Sequence, residues 1–404
     1  MKNYIMPKEY GLNNLQEVRV VHKLFFQYDR YIEAIKKGLG NIPRLQGNYT
    51  KFKDGSPWCQ IILGKGTEAD LLKERPTTAF VPFWISEQFA SLGDNLFAVE
   101  QVGNALTHQE RNRPSLVDQI IGIAPYIELR QDRDSISSDG LSHKVGEAIN
   151  DEIIANNLAN SGYGKLVLLD PHSQESLRHF DRAGITHLDL TSAPLFADFL
   201  EKKKLIDKKS AFVALDKGSL QRCLYLCDLL GLDPRDHIIV LNKNRSGQNH
   251  VDGCEVLYGD PRGRKLIIFD DVIDTTDSIG KTSKSLIDKG AEKGIVVMAV
   301  HGVLSHPARD NIERFIDEGI ISRLVLTDSL PNASFNLEGI KGVQVIHTAL
   351  LMTRMAQFLA LTSPEEIKSD PELSRYVLEP RNKEEIWEEF QAMYLGCPMT
   401  NFPS

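Results

Sequence analysis

From Lys165 onward the chain alternates short β-branched runs with longer amphipathic segments, and this rhythm restricts it to one class of fold. The runs are KLVLLD, AFVAL, HIIVL, KLIIFD, GIVVMAV, RLVLT and VQVIH. Each is apolar throughout rather than alternating, as strands covered on both faces must be. Strands spaced by crossover-length segments form a parallel sheet with helices on its faces. Between the runs, Ser219–Leu230 and Thr282–Lys289 carry apolar residues at helical spacing, with Gly231 and Gly290 placed as C-caps. Before Ile120 the order is less legible, although strand-like pieces stand at Trp58–Leu63 and Thr78–Trp84.

A chain of 404 residues is longer than one hydrophobic core usually organises, so two domains plus extensions are expected. The division reads as residues 1–190, 191–345 and a C-terminal helix and extension, 346–404, returning to the first domain. The N-terminal stretch up to about Thr50 reads as a second addition to the core. A net charge of -8 excludes a protein that works by coating nucleic acid, whose phosphates demand a basic face. No apolar stretch is long enough to span a bilayer, and the N-terminus lacks an apolar leader, which points to the cytoplasm. The five cysteines are scattered; only Cys223 and Cys227 lie close, at a spacing that suits one helix face, so they read as reduced thiols.

In an open α/β sheet ligands sit beyond the carboxyl ends of the strands. After KLIIF comes Asp270-Asp271-Val272-Ile273-Asp274-Thr275-Thr276-Asp277-Ser278, leading into a helix. Adjacent acids at a strand end can hold a ribose diol or its metal, and small polar residues at a helix N-terminus present amides to a phosphate. The alternative is a capped helix with solvated acids, which leaves the like-charge pair unexplained.

The run IIFDDVIDTTDS resembles the ribose-phosphate signature of PRPP synthetases (ribose-phosphate pyrophosphokinases) and type I phosphoribosyltransferases. Other segments follow in family order. Phe52-Lys53-Asp54-Gly55-Ser56 resembles an adenine-contacting turn, with Ser56 where the family has glutamate. Tyr126 with Arg130-Gln131-Asp132-Arg133 resembles the ATP tract, Asp170-Pro171-His172 the metal-binding Asp-x-His, and Ser192–Leu195 the domain junction. Asp216-Lys217-Gly218-Ser219 resembles the pyrophosphate loop, and Asn242-Lys243-Asn244-Arg245 the start of the mobile catalytic loop. Val300–Ser305 and Leu326–Pro331 complete the series. Phosphoribosyltransferases share only the ribose-phosphate signature, so the order favours the kinase.

The resemblance implies two doubly wound α/β domains of the type I phosphoribosyltransferase kind. It also implies an enzyme that uses ATP and Mg²⁺ to pyrophosphorylate ribose 5-phosphate, working as a homo-oligomer, dimer or hexamer. On that reading Lys243 and Arg245 are catalytic, in a loop that closes as a lid. Phe52, Asp54, Arg130, Gln131, Arg133 and His172 bind ATP, while Asp170, His172 and Asp216 serve the metal. Asp270, Asp271, Asp274, Thr275, Thr276, Asp277 and Ser278 hold the ribose phosphate.

Three departures bear on the substrate. Ser219 replaces a usual glycine, and Asn242 and Asn244 remove charge from the lid. Asp277 stands where the phosphate cradle has glycine, and a carboxylate there can cap the amides a phosphate needs. Two alternatives therefore stand beside the ordinary activity: an acceptor such as ADP-ribose, or a silent regulatory relative. The presence of Lys243, Arg245, Asp170 and His172 weighs against silence.

Overall fold

The computed structural model describes residues 16–22, 31, 33, 44–51, 57–62, 77–86, 92–108, 115–129, 149–172, 174–215, 217–247, 250–330, 337–378 and 383–394. Contacts divide the chain into two compact units: Met1–Asp189 with Ala349–Ser374, and Leu190–Thr348 with Arg375–Ser404.

The first unit holds a seven-stranded sheet built from β1 (Gln16–His22), β2 (Arg44–Lys51), β3 (Pro57–Ile62), β4 (Thr77–Pro82), β5 (Gln119–Ala124), β6 (Tyr163–Leu169) and β7 (Thr186–Leu190), in the order β3-β2-β1-β4-β5-β6-β7. Strand β1 pairs in parallel with both β2 and β4. The N-terminal stretch is therefore not an addition: β1 lies inside the sheet, between β2 and β4. Helices α1 (Leu92–Thr107), α2 (Asn150–Asn160) and α3 (Gln174–Arg182) also belong to this unit.

The second unit repeats the plan. Strands β8 (Ser210–Ala214), β9 (Ile238–Gly247), β10 (His250–Tyr258), β11 (Lys265–Ile273), β12 (Ile295–Gly302), β13 (Ile321–Thr327) and β14 (Val343–Ile346) lie in the order β10-β9-β8-β11-β12-β13-β14. With β8 matched to β1, the two orders are the same, down to an antiparallel edge hairpin in each, β2–β3 and β9–β10. Every residue of β8 and β12 is buried, as the continuous apolar runs require.

Helices α4 (Ala193–Lys202), α5 (Lys217–Leu229), α6 (Pro234–His237), α7 (Asp277–Asp288) and α8 (Ala308–Asp317) surround this sheet. On one face Leu266 and Ile268 of β11 join Ile279 and Leu286 of α7 and Phe315 of α8 in one cluster. On the other, Phe269 packs against Phe196 of α4 with ring centroids 4.9 Å apart. Cys223 and Cys227 are buried, unbridged thiols on α5, and burial first, then the nearby Asp233, pushes the Cys227 thiol up to about 12.

The segment expected as one C-terminal extension divides between the units. Helix α9 (Ala349–Leu361) is gripped at its C-terminal turn by the first sheet. There Lys165 Nζ donates to the Leu359 carbonyl at 2.7 Å and Gln119 Nε2 to that of Ala360 at 3.4 Å. These carbonyls have no partner within the helix, so side-chain donors stabilise its end. Helix α10 (Pro364–Ser369) follows, closed at its start by a Ser363/Glu366 capping box. Helix α11 (Lys383–Tyr394) packs instead on α5 of the second unit, with Phe390 edge-on to Tyr258. Among the described residues no helix is long and apolar enough to cross a membrane.

Candidate functional site

Three motifs far apart in sequence meet at neighbouring strand ends of the second sheet. Strand β8 leads to the segment Asp216–Ser219, β9 carries Lys243 and Arg245, and β11 ends in the two acids. Strand β8 pairs in parallel with both β9 and β11, so the three carboxyl ends lie side by side. The chain leaves β8 toward β9 on one side and returns to β11 on the other. This reversal is the crevice where open sheets bind ligands.

Lys243 and Arg245 differ from expectation. They lie not in a loop but in the ladder of β9, with Lys243 opposite Cys254 and Arg245 opposite Val251 of β10. Polar residues read as a loop when considered one strand at a time; here an antiparallel partner satisfies their backbone groups, while residues 248–249 lie outside the described residues. Lys217, Gly218 and Ser219 form the first turn of α5, where Ser219 is buried; Asp216 lies outside the described residues.

The loop after β11 is held from several sides. The Asp270 carboxylate accepts the amide of Asp271 at 3.0 Å, and Asp271 accepts that of Val272 at 3.0 Å. Asp271 is 8% exposed, and its Oδ2 lies 3.6 Å from Nη2 of Arg222 on α5. Asp274 accepts the Ser305 amide at 3.1 Å, and Asn311 of α8 donates to the Thr275 carbonyl at 2.9 Å. Thr276 is buried and left-handed, with φ 64°, and forms the N-cap of α7 without a side-chain cap bond. Thr275 and Ser278 are exposed.

Asp277 does not cap the helix. It is the first residue of α7, half exposed, and its carboxylate pairs with Lys281 one turn on, at 2.8 Å. Arg222, Lys281 and Asn311 are not among the residues that sequence motifs single out. Spacing to Asp277 could have found Lys281, whereas the partners of Arg222 and Asn311 come from other elements.

In the first unit Asp170 and His172 follow β6 directly, next to the end of β5, with which β6 is parallel. Asp170 is buried and left-handed with φ 40°, and His172 is exposed. Tyr126 is buried just after β5. Phe52, Asp54, Arg130, Gln131 and Arg133 lie outside the described residues, although β2 and β3 on either side of 52–56 are paired, with Lys51 opposite Pro57. Left-handed backbone recurs at Leu304, φ 55°, after β12. Such strain at non-glycine residues collects where a ligand site must be held in shape.

Among the described residues no group of three or more His, Cys, Asp or Glu is placed to hold a metal ion.

Residues 251–357 match the family described as phosphoribosyl synthetase-associated domain. Ribose-phosphate pyrophosphokinase 1 of Streptococcus pyogenes is 29% identical over 250 residues, 61% of this chain and 70% of its own length. The Streptococcus pneumoniae protein of the same name is 28% identical over the same span. The crystal structure of phosphoribosylpyrophosphate synthetase from Mycobacterium smegmatis superposes with a TM-score of 0.64 at 19% identity, covering 86% of this chain and 99% of that one. The fold is thus the two-domain α/β fold of that synthetase. In sequence the chain is similar to ribose-phosphate pyrophosphokinases over 61% of its length.

Proposed function

We propose that the chain transfers the β,γ-pyrophosphate of ATP to the C1 hydroxyl of a ribose 5-phosphate moiety and releases AMP. The observation that carries this reading is the side-by-side arrangement of the β9, β8 and β11 ends, which groups a basic hairpin, a pyrophosphate-loop helix and a ribose-phosphate loop. The C1 oxygen attacks the β-phosphorus, the bond to the α-phosphate oxygen breaks, and the hydroxyl proton is lost. Negative charge grows on the transferred group and on the leaving AMP, and Lys243 and Arg245 are the cations assigned to it. Amides at the α7 N-terminus bind the 5-phosphate. Asp170, His172 and Asp216 are the residues that would hold Mg²⁺, which, bound with ATP, would neutralise phosphate charge.

Asp277 favours one variant of this activity. A 5-phosphodiester, as in ADP-ribose, carries one charge fewer beside that carboxylate than a monoester does. The test is AMP release from ATP and Mg²⁺ against a panel of ribosyl acceptors, with the divalent ion removed as control. Cation-dependent AMP release with ribose 5-phosphate or ADP-ribose is the expected result. No release with any acceptor would refute the enzyme reading and leave a regulatory relative.

A further inference from the structure

The two acids of the ribose-phosphate signature are not equivalent here. Asp270 and Asp271 are consecutive residues within β11, so their side chains leave opposite faces of the sheet. Phe269 marks the Asp271 face, because it packs on Phe196 of α4, and α5 contacts both α4 and β11 on that side. Leu266 and Ile268 mark the Asp270 face, where they join Ile279 and Leu286 of α7, the helix that begins at the phosphate loop. The Asp271 carboxylate is engaged at each oxygen: Oδ1 accepts the Val272 amide, and Oδ2 forms an ion pair with the Arg222 guanidinium at 3.6 Å. Both side chains are largely buried, at 14% for Arg222 and 11% for Asp271. Asp270 is the more accessible acid.

We propose that Arg222 is a positioning residue that fixes Asp271 to the pyrophosphate-loop helix, leaving Asp270 as the acid that meets the sugar on the phosphate-loop side. The inference rests on the pyrophosphokinase reading. Arg222 follows Ser219 by three residues on α5, so it also ties the first turn of that helix to β11. The pair neutralises one of two adjacent carboxylates, which relieves the repulsion that would otherwise spread the strand end. Removing the guanidinium leaves Asp271 charged, desolvated and uncompensated, and the acid pair then loses its geometry toward the acceptor.

The experiment measures kcat and both KM values by AMP release for the native chain, Arg222→Gln, Arg222→Lys, Asp271→Asn and the Arg222→Gln/Asp271→Asn double variant. Calorimetric titration with ribose 5-phosphate and ADP-ribose, and thermal melts without ligand, accompany it. Arg222→Gln should raise the acceptor KM and weaken acceptor binding roughly tenfold, about 1.4 kcal/mol, with KM for ATP little changed. Arg222→Lys should recover part of the loss, and the double variant should lose no more than Asp271→Asn alone. Asp270→Asn should instead add to Arg222→Gln. An unchanged acceptor KM, equal losses for both substrates, or additive effects of Arg222→Gln and Asp271→Asn would overturn the proposal. If the native chain releases no AMP, the enzyme reading fails and the titrations decide. Weaker acceptor binding by Arg222→Gln sustains the positioning role, and absence of binding to the native chain removes it.

Discussion

Replacing Asp277 by glycine separates the two acceptor readings. The carboxylate is the first residue of α7, at the mouth of the loop that would receive the 5-phosphate, and it is half exposed. A monoester phosphate carries about one charge more than a diester. At a separation of about 5 Å that extra charge costs about 0.8 kcal/mol in a water-like dielectric and about 3 kcal/mol at an effective value of 20. The exposure of Asp277 places it toward the watery limit, and the Lys281 partner at 2.8 Å offsets part of the repulsion. The expected change is therefore small but measurable. Asp277→Gly should raise kcat/KM for ribose 5-phosphate relative to ADP-ribose by roughly fourfold to tenfold. Lys281→Gln, which leaves the carboxylate uncompensated, should move the ratio the other way. Steady-state AMP release with each acceptor measures both. A ratio that Asp277→Gly leaves unchanged, or a native chain that strongly prefers ribose 5-phosphate, would refute the electrostatic argument.

Lys243→Ala should lower kcat by roughly two orders of magnitude or more with an unchanged melting temperature, as removal of a transition-state cation does; near-normal turnover would cancel its assignment. Gly280→Ala should destabilise, although glycine to alanine within a helix usually gains about 1 kcal/mol. A Cβ at Gly280 would overlap the ring of Phe315, which is buried, so a cost of about 1–3 kcal/mol and a melting temperature lower by several degrees are expected in calorimetry. The third concerns pH. Burial disfavours charge on His187, but Asp189 at 2.9 Å and Asp181 at 3.1 Å outweigh it and raise its pKa above the ordinary value. A raised folded-state pKa means stabilisation that is complete below the unfolded value of about 6.5 and is lost as pH rises through the folded one. His187→Gln should therefore lower the melting temperature more at about pH 5.5 than at about pH 8.5, and equal losses at both would dismiss the ion-pair account.

The second sheet is legible in the sequence because its strands are short apolar runs rich in β-branched residues, as in IVVMAVHG, covered on both faces. The first sheet is legible only in part, at β6 and in the pieces that become β3 and β4. Strand β2, RLQGNYTK, holds one aliphatic residue and gains its identity from pairing with β1 and β3 rather than from its own side chains. Strand β9 shows itself in the sequence only as far as Leu241, because residues 242–247 are mostly polar and draw their support from β10. At the site the acids and the small polar loop are visible as a motif. Their contacts are not: the ion pair of Arg222 joins residues nearly fifty positions apart, and neither end signals the other. The division of 346–404 is hidden for a related reason, since an amphipathic helix states that it has a buried face but not which sheet will cover it.

The grip of Lys165 and Gln119 on the last turn of α9 sets an order of events during synthesis. Domains ordinarily form as the ribosome releases them, from the amino end onward. Here the unit that is begun first is closed by a helix ending at Leu361, after the whole of Leu190–Thr348 has been made. A nascent chain halted before that helix would hold a second unit with all its strands and a first sheet lacking the helix that caps β5 and β6. The apolar face of β5 and β6 then stays uncovered until that helix has been made.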